Sequence, residues 1–498
     1  MSRKKRGYKW DWKDKKNKKN QKQENDEDIC LWRFLSIMKI PASESTLVHD
    51  PHDRVHVDIT SLPASIRNFP CEILCEIFLI VVSLYPASSR NLGAPRFTRV
   101  CRDWRAISVS YPQLWTTVNI KYDGRYLADN LEVYISLSGN LPLHVHVAGI
   151  ERYGERGEWD RPRSFAREET ARALKDLAAL SAQRWKTLAV TADFAVFAAQ
   201  VEAQTPLLES LVLDSDTWPK DYRGELPLDF VRHAPLLRTI TIDLGFPDIV
   251  LPSWKRQVTS ATYFLHSACA LCTVLCHLMD AKELRKLSIL DADAEHGAFD
   301  DCFINMLLSP TTYHAPQLRT LIVSGCAHAF LPVIVAPALE TLTVCQDHEW
   351  DDPEMWPEGP LSSLLWMIQR TTLSSLRILE LKDIETYEHR FDLLYQCLDA
   401  LIALDTLRIE ELADTVSHRD SLLRGELLEW LTYKESSPTH LPDLTHLTLR
   451  SGRKSDGDLE GLVRQLLVSR TTGGLVDGVA RKALIHFTSN LGPEFQIP

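Results

Sequence analysis

One short phrase recurs through most of this chain and constrains its fold more than any other feature. An apolar residue is followed by two variable ones, a second apolar residue, one variable residue and a β-favouring apolar residue. It reads Leu208/Leu211/Leu213, Leu237/Ile240/Ile242, Leu284/Leu287/Ile289, Leu318/Leu321/Val323, Leu339/Leu342/Val344, Leu376/Leu379/Leu381, Leu404/Leu407/Ile409 and Leu444/Leu447/Leu449. Weaker copies stand at Trp115/Val118/Ile120 and Trp185/Leu188/Val190. A proline often sits two residues ahead, as at Pro206, Pro235, Pro316, Pro337 and Pro442. The closing alternation is a strand signature, and stretches between phrases, such as Ser267 to Met279, carry helical periodicity. One strand and one helix cannot bury their own apolar faces, whereas stacked neighbours bury them continuously. The expectation is an α/β chain in which residues 121–498 form a strand–helix solenoid.

Successive first leucines lie from 21 to 47 residues apart. The pattern resembles a degenerate leucine-rich repeat with insertions, and it lacks the Asn or Cys that regular repeats use to satisfy turn backbone groups. The expected architecture is therefore an irregular leucine-rich-repeat-like array.

Residues 69–120 follow a different pattern. Phe69-Pro70-Cys71-Glu72 places a proline at a helix start and an acid in its first turn, where the helix dipole favours negative charge. Ile73, Leu74, Ile77, Phe78 and Val81 then recur on one helical face. After a loop from Pro86 to Pro95, a second stripe runs through Phe97, Val100, Cys101, Trp104 and Ile107, and Tyr111-Pro112 ends it. Such a unit of about 50 residues is marginal alone and gains from a partner.

These residues resemble an F-box. The family's Leu-Pro-x-Glu-Ile-Leu opening is matched by Phe69-Pro70-Cys71-Glu72-Ile73-Leu74, with Phe for the usual Leu. Its Val-Cys-(x)2-Trp ending is matched by Val100-Cys101-Arg102-Asp103-Trp104, then Pro112-Gln113-Leu114-Trp115. The layout is similar to fungal F-box proteins with repeat-like C-terminal regions, including Pro206-Leu207-Leu208-Glu209-Ser210-Leu211 and the helix Leu462 to Arg470. The resemblance implies a three-helix F-box at 63–120 that binds a Skp-type adaptor and, through it, a cullin scaffold. It implies Pro70, Ile73, Leu74, Ile77, Phe78, Val100, Trp104 and Trp115 as adaptor-docking residues, some of which must form the unit's own core. The array would capture a protein substrate for ubiquitination, as a receptor without catalytic residues. The rival readings are a scaffold outside ubiquitination and an enzyme built on acidic–His loops.

Charge is divided unevenly. Residues 1–23 carry eleven Lys/Arg and two Asp, or +9, which leaves −20 for the rest of a chain whose total is −11. An acidic body does not grip nucleic acid. Residues 1–28 hold too little apolar surface to offset ordering and are expected to be a disordered basic tail that aids solubility, with the clusters Lys4-Lys5-Arg6 and Lys15-Lys16 with Lys18-Lys19 as the alternative of an import signal. Residues 29–62 read as a linker. Eleven cysteines without dense spacing suit reduced thiols of the cytosol or nucleus. The longest apolar run, Ile73 to Tyr85, is broken by Glu76 and Ser83 and is too short to cross a bilayer.

Chemical motifs are sparse, and no cofactor or metal is expected. Cys269, Cys272 and Cys276 with Leu265 and Met279 step by four, three, four and three, a helical core stripe more than a ligand set. Asp291 to His296 and Asp347 to Asp352 each follow a predicted strand and suit solvated loops. His144 and His146 alternate on a predicted strand and would share a side. No phosphate-cradling glycine loop, HExxH or nucleophile elbow is present. The variable phrase positions Glu209, Arg238, Thr239, Arg285, Arg319, Thr320, Glu340, Arg377 and Thr406 are expected to form an outward polar ladder. Its Arg285, Arg319 and Arg377 are the candidate substrate-binding residues for an acidic or phosphorylated ligand.

Overall fold

The computed structural model describes residues 69–84, 93–121, 127–148, 175–191, 204–213, 226–227, 233–244, 249–250, 257–265, 270–279, 281–291, 312–346, 359–384, 391–411, 421–433, 440–452, 457–471, 473–476 and 479–491. The basic tail, the linker, the acidic run 347–352 and the residues after Asp291 in the other acidic run lie outside them.

Thirteen strands form one sheet. They are β1 (Thr117–Lys121), β2 (Leu143–Ala148), β3 (Trp185–Thr191), β4 (Ser210–Leu213), β5 (Thr239–Leu244), β6 (Ser260–Leu265) and β7 (Lys286–Asp291). The rest are β8 (Thr320–Ser324), β9 (Thr341–Cys345), β10 (Ile378–Lys382), β11 (Thr406–Glu411), β12 (His446–Ser451) and β13 (His486–Ser489). Each strand lies beside its chain successor, and every pairing is parallel. Parallel neighbours need a crossover, and the segments between strands supply it. They include α4 (Leu127–Leu137), α5 (Ala270–Leu278), α6 (Pro360–Arg370), α7 (Phe391–Ala400), α8 (Gly425–Leu431) and α9 (Gly457–Arg470). The protein is thus a mixed α/β chain built on a large parallel sheet.

All ten phrases read from the sequence end in strands of this sheet, and their apolar triads are buried. The prolines have a local cause. The first leucine of a phrase donates its N–H to the carbonyl three residues back, as Leu208 to Thr205 (3.1 Å), Leu237 to Ala234 (3.1 Å), Leu318 to Ala315 (3.2 Å) and Leu339 to Ala336 (3.2 Å). The proline is the second residue of that turn, where its fixed φ is already correct. The residue after the first leucine then bridges units through its carbonyl. Arg285, for example, accepts from both Arg319 N–H (2.8 Å) and Thr320 N–H (3.0 Å).

Two strands escaped the sequence reading: β6 follows Val258 and buries Ala261 and Tyr263, and β13 follows Leu484 and buries Phe487. β2, expected from the alternation of His144 and His146, buries Val145 and Val147. The 47-residue interval is therefore two ordinary units with β6 between them. The shortest interval, from Leu318 to Leu339, has no room for an α-helix. The 3-10 segment Gly325–Val333, almost wholly buried, crosses there instead.

Ahead of the sheet lie α1 (Cys71–Leu84), α2 (Gly93–Phe97) and α3 (Arg102–Ser110), then a 3-10 turn Pro112–Trp115. The second stripe is divided rather than continuous. Residues 98–100 form a turn, and Cys101, in extended conformation, caps α3 by accepting from Trp104 N–H through Sγ. Phe78 stacks on Phe97 at 4.2 Å and tilts against Trp104 at 4.8 Å. One hydrophobic cluster runs without a break from Leu74 in α1 to Leu491 beyond β13.

Candidate functional site

Two surfaces bring together residues with chemistry to offer. The first is on α1. Leu74, Phe78, Val81 and Val82 are buried against the helical unit. The other face leaves Ile73 46%, Ile80 53% and Leu84 62% exposed, too much apolar surface on one helix for a solvated role alone. Of the residues expected to dock an adaptor, Pro70 and Ile73 are exposed, and Ile77, Val100 and Trp104 are half-buried. Leu74, Phe78 and Trp115 face the chain's own core. Ile80, Leu84 and the exposed Val109 of α3 were missed, because they lie off the motif that singled out the others. Tyr111 at the end of α3 donates to Glu76 of α1 (3.3 Å). Desolvation first, then that carboxylate, hold its phenol above the usual range.

The second surface is the outer face of the sheet. Parallel sheets are commonly covered on both sides, but here the strands alternate buried and partly exposed residues, as in β4, β6 and β10. The register aligns the outward residues in rows. One row runs through Val212, Thr241, Thr262, Ser288, Ile322 and Thr343 without a charge, then meets Glu380 and Arg408. The next row carries Cys345, Lys382, Glu410 and Arg450. Arg408 pairs with Glu380 (2.5 Å), Lys382 with Glu380 (3.4 Å) and Glu410 (3.9 Å), and Arg450 with Glu410 (3.4 Å). Thr343 donates its hydroxyl to Glu380 (3.2 Å). This lattice was invisible to phrase-based reading because its members lie between or just after the apolar positions of three separate phrases.

Arg285, Arg319 and Arg377 each stand immediately before the first residue of their strands, β7, β8 and β10. Arg285 and Arg319 are neighbours through the bridging carbonyl of Arg285. Glu340 separates Arg319 from Arg377 in the same column, and Arg319 is paired to it at 3.0 Å. Arg377 donates to Ala403 O at 2.7 Å. The three do not converge on one point. Of the polar ladder, Thr406 is buried between Ile378 and His446 of the neighbouring strands.

The remaining candidates read as structure. His144 and His146 share a side as expected, both half-buried, and His144 Nδ1 meets Thr187 Oγ1 at 2.9 Å. The core stripe expected through Leu265, Cys269, Cys272, Cys276 and Met279 does not form: Leu265 ends β6, Cys269 lies outside the described residues, and Cys276 and Met279 are exposed, while His277 is the residue buried beside Tyr263. Asp291 accepts from Cys326 N–H at 3.0 Å and anchors the following 3-10 segment. Among the described residues no group of three His, Cys, Asp or Glu is placed to hold a metal ion, and no helix is long and apolar enough to cross a membrane. No protein-family model matches the chain, and no curated protein matches it significantly.

Proposed function

We propose that this chain is the substrate-recognition subunit of an SCF-type cullin ubiquitin ligase. In this reading residues 63–120 are an F-box that binds a Skp-type adaptor, and residues 121–498 are an irregular leucine-rich-repeat-like solenoid that holds a protein substrate. The observation that carries the reading is the two-faced helix α1. Its Phe78 side is locked into the Phe97 and Trp104 cluster, while its Ile73, Ile80 and Leu84 side is exposed, as a partner-dependent helix requires. The array is supported by parallel strands in strict chain order, eight of which are entered by a turn that closes on the first leucine of the phrase. A receptor needs no catalytic group, because it contributes proximity between substrate and conjugating enzyme.

Co-expression of the full chain with a Skp-type adaptor and a cullin tests the proposal. The expected result is a stable ternary complex that ubiquitinates bound proteins when the conjugating enzyme is added. Recovery of adaptor without cullin would favour a scaffold outside ubiquitination, and recovery of neither would overturn the F-box reading.

A further inference from the structure

The last two strands of the sheet bring two imidazoles together. β12 and β13 pair in parallel with His446 opposite His486 and Thr448 opposite Thr488, while Leu447 and Phe487 between them are buried. Strand alternation therefore turns both histidines to the outer face. Their ring centroids lie 5.9 Å apart, with ring planes inclined at 40°. The His446 side chain is 43% exposed, and His486 is exposed as well, so both are open to a small solute.

Each ring is held through one nitrogen. His446 Nδ1 lies 2.7 Å from Thr445 Oγ1, and that hydroxyl lies 2.5 Å from Asp405 Oδ1. Thr445 has a single proton to give. Directed at the Asp405 carboxylate, it leaves the oxygen to accept from Nδ1–H, so the His446 lone pair stands on Nε2. The other Asp405 oxygen, 3.6 Å from Nδ1, favours the same tautomer. On β13, His486 Nε2 meets Thr488 Oγ1 at 3.0 Å, and with that hydroxyl accepting, the lone pair falls on Nδ1. Neither His446 Nε2 nor His486 Nδ1 has a hydrogen-bond partner among the described residues. A carboxylate reached through the ring's other nitrogen is the usual support of a metal-binding histidine, because it fixes the tautomer and raises the basicity of the ligating atom. The separation fits as well. Metal–nitrogen bonds of about 2.0–2.1 Å put two imidazoles on one ion with centroids about 5–6 Å apart. The nearby cations do not oppose an ion: Arg408 and Arg450 are paired to Glu380 and Glu410, and the next outward positions hold Thr448 and Thr488.

We infer that His446 Nε2 and His486 Nδ1 bind one divalent transition-metal ion of the zinc and copper class on the outer face of β12 and β13, with Asp405 as a positioning residue acting through Thr445. Imidazole nitrogen suits zinc, copper and nickel, whereas magnesium and calcium take oxygen ligands. Two protein ligands are fewer than a structural zinc centre uses, and they leave coordination positions open. An ion held here therefore also takes a carboxylate or imidazole from a molecule lying on the sheet. The inference goes beyond the proposed function and does not depend on the F-box reading.

The test uses the full chain without an affinity tag, and Zn2+, Cu2+ and Mg2+ alone as probes. Titration calorimetry is expected to show one Zn2+ site and tighter Cu2+ binding, with Mg2+ silent. Electron paramagnetic resonance of the Cu2+ form should show hyperfine coupling to two imidazole nitrogens. His446→Gln and His486→Gln should each abolish the Zn2+ signal and leave a single coupled imidazole. Asp405→Asn should weaken Zn2+ binding about tenfold while both imidazoles stay coupled and the metal-free melting temperature holds. The spectrum of the unaltered chain keeps the test decisive even where a variant folds poorly. Absence of a Zn2+ site, a Cu2+ spectrum without two coupled imidazoles, or a site undiminished in both histidine variants would overturn the inference. Unchanged Zn2+ affinity in Asp405→Asn would overturn the positioning role of the carboxylate.

Discussion

The indole of Trp115 meets the ring of Tyr134 edge-on, with centroids 5.1 Å apart, and so joins the last turn of the N-terminal helical unit to α4 beside the sheet. Both rings are buried, and the indole N–H donates to Ser108 O of α3 at 2.7 Å. The helical unit is therefore not an appendage. A partner held on α1 would be held in fixed orientation to the first strands, which is what a receptor that presents substrate to an enzyme needs.

Trp115→Ala should remove this joint. Loss of a buried indole costs about 3–5 kcal/mol. Urea denaturation is expected to show that loss, and amide exchange should accelerate both in α1 and in β1. Acceleration confined to α1 would contradict a shared core.

The two sides of α1 should respond differently to the same change. Ile73→Asp and Ile80→Asp place a carboxylate in solvent, so melting temperature should hold within about two degrees, in line with ordinary surface changes. Adaptor recovery should nevertheless fall sharply. Phe78→Asp buries an unpaired charge among Phe97 and Trp104 and should prevent folding. Equal adaptor recovery from Ile73→Asp, Ile80→Asp and the unaltered chain would place docking elsewhere.

The same helix shows what the sequence made legible. Periodicity marked Ile73, Leu74, Ile77 and Phe78 as one stripe, but a stripe this wide turns one edge to the chain's own core and leaves the other exposed. Only three-dimensional packing divides them, and it sends Phe78 inward and Ile73 outward. The strands were legible wherever a full triad of large apolar residues closed the phrase; β13 was not, because Ser489 stands at the third position after Leu484 and Phe487. β6 was not, because Val258 and Ala261 stand where leucines would and no proline announces the turn. The ion-pair lattice was not legible at all, since register between β10, β11 and β12 is fixed by turns 28 and more residues apart and no local spacing encodes it.

Acid should expose a second buried group. His328 lies in the 3-10 segment, meets Ser363 Oγ at 3.1 Å, and desolvation lowers its pKa from 6.5 to about 3. The unfolded chain binds this proton below about pH 6.5 and the folded chain does not until about pH 3. The stability it contributes is complete above pH 6.5 and declines through that window by up to about 1.4 kcal/mol per pH unit. His328→Gln should show a shallower loss of melting temperature between pH 6.5 and 4 than the unaltered chain. Parallel profiles would mean that the imidazole is protonated in the folded state.

Two glycines give a closing comparison. Gly139 and Gly325 share the left-handed conformation, at φ +57° and +53°, but not their surroundings. A Cβ on Gly139 would meet open space, whereas one on Gly325 would fall on the Asp291 carboxylate that holds Cys326 N–H. Gly139→Ala should therefore cost only the left-handed penalty of about 1–2 kcal/mol. Gly325→Ala pays that and must also displace Asp291 from the start of a buried segment, where overpacking adds roughly 1–3 kcal/mol. Urea denaturation of the two variants reads the difference directly. Equal losses would show that Asp291 yields without cost and that the turn after β8 is held by something other than its carboxylate.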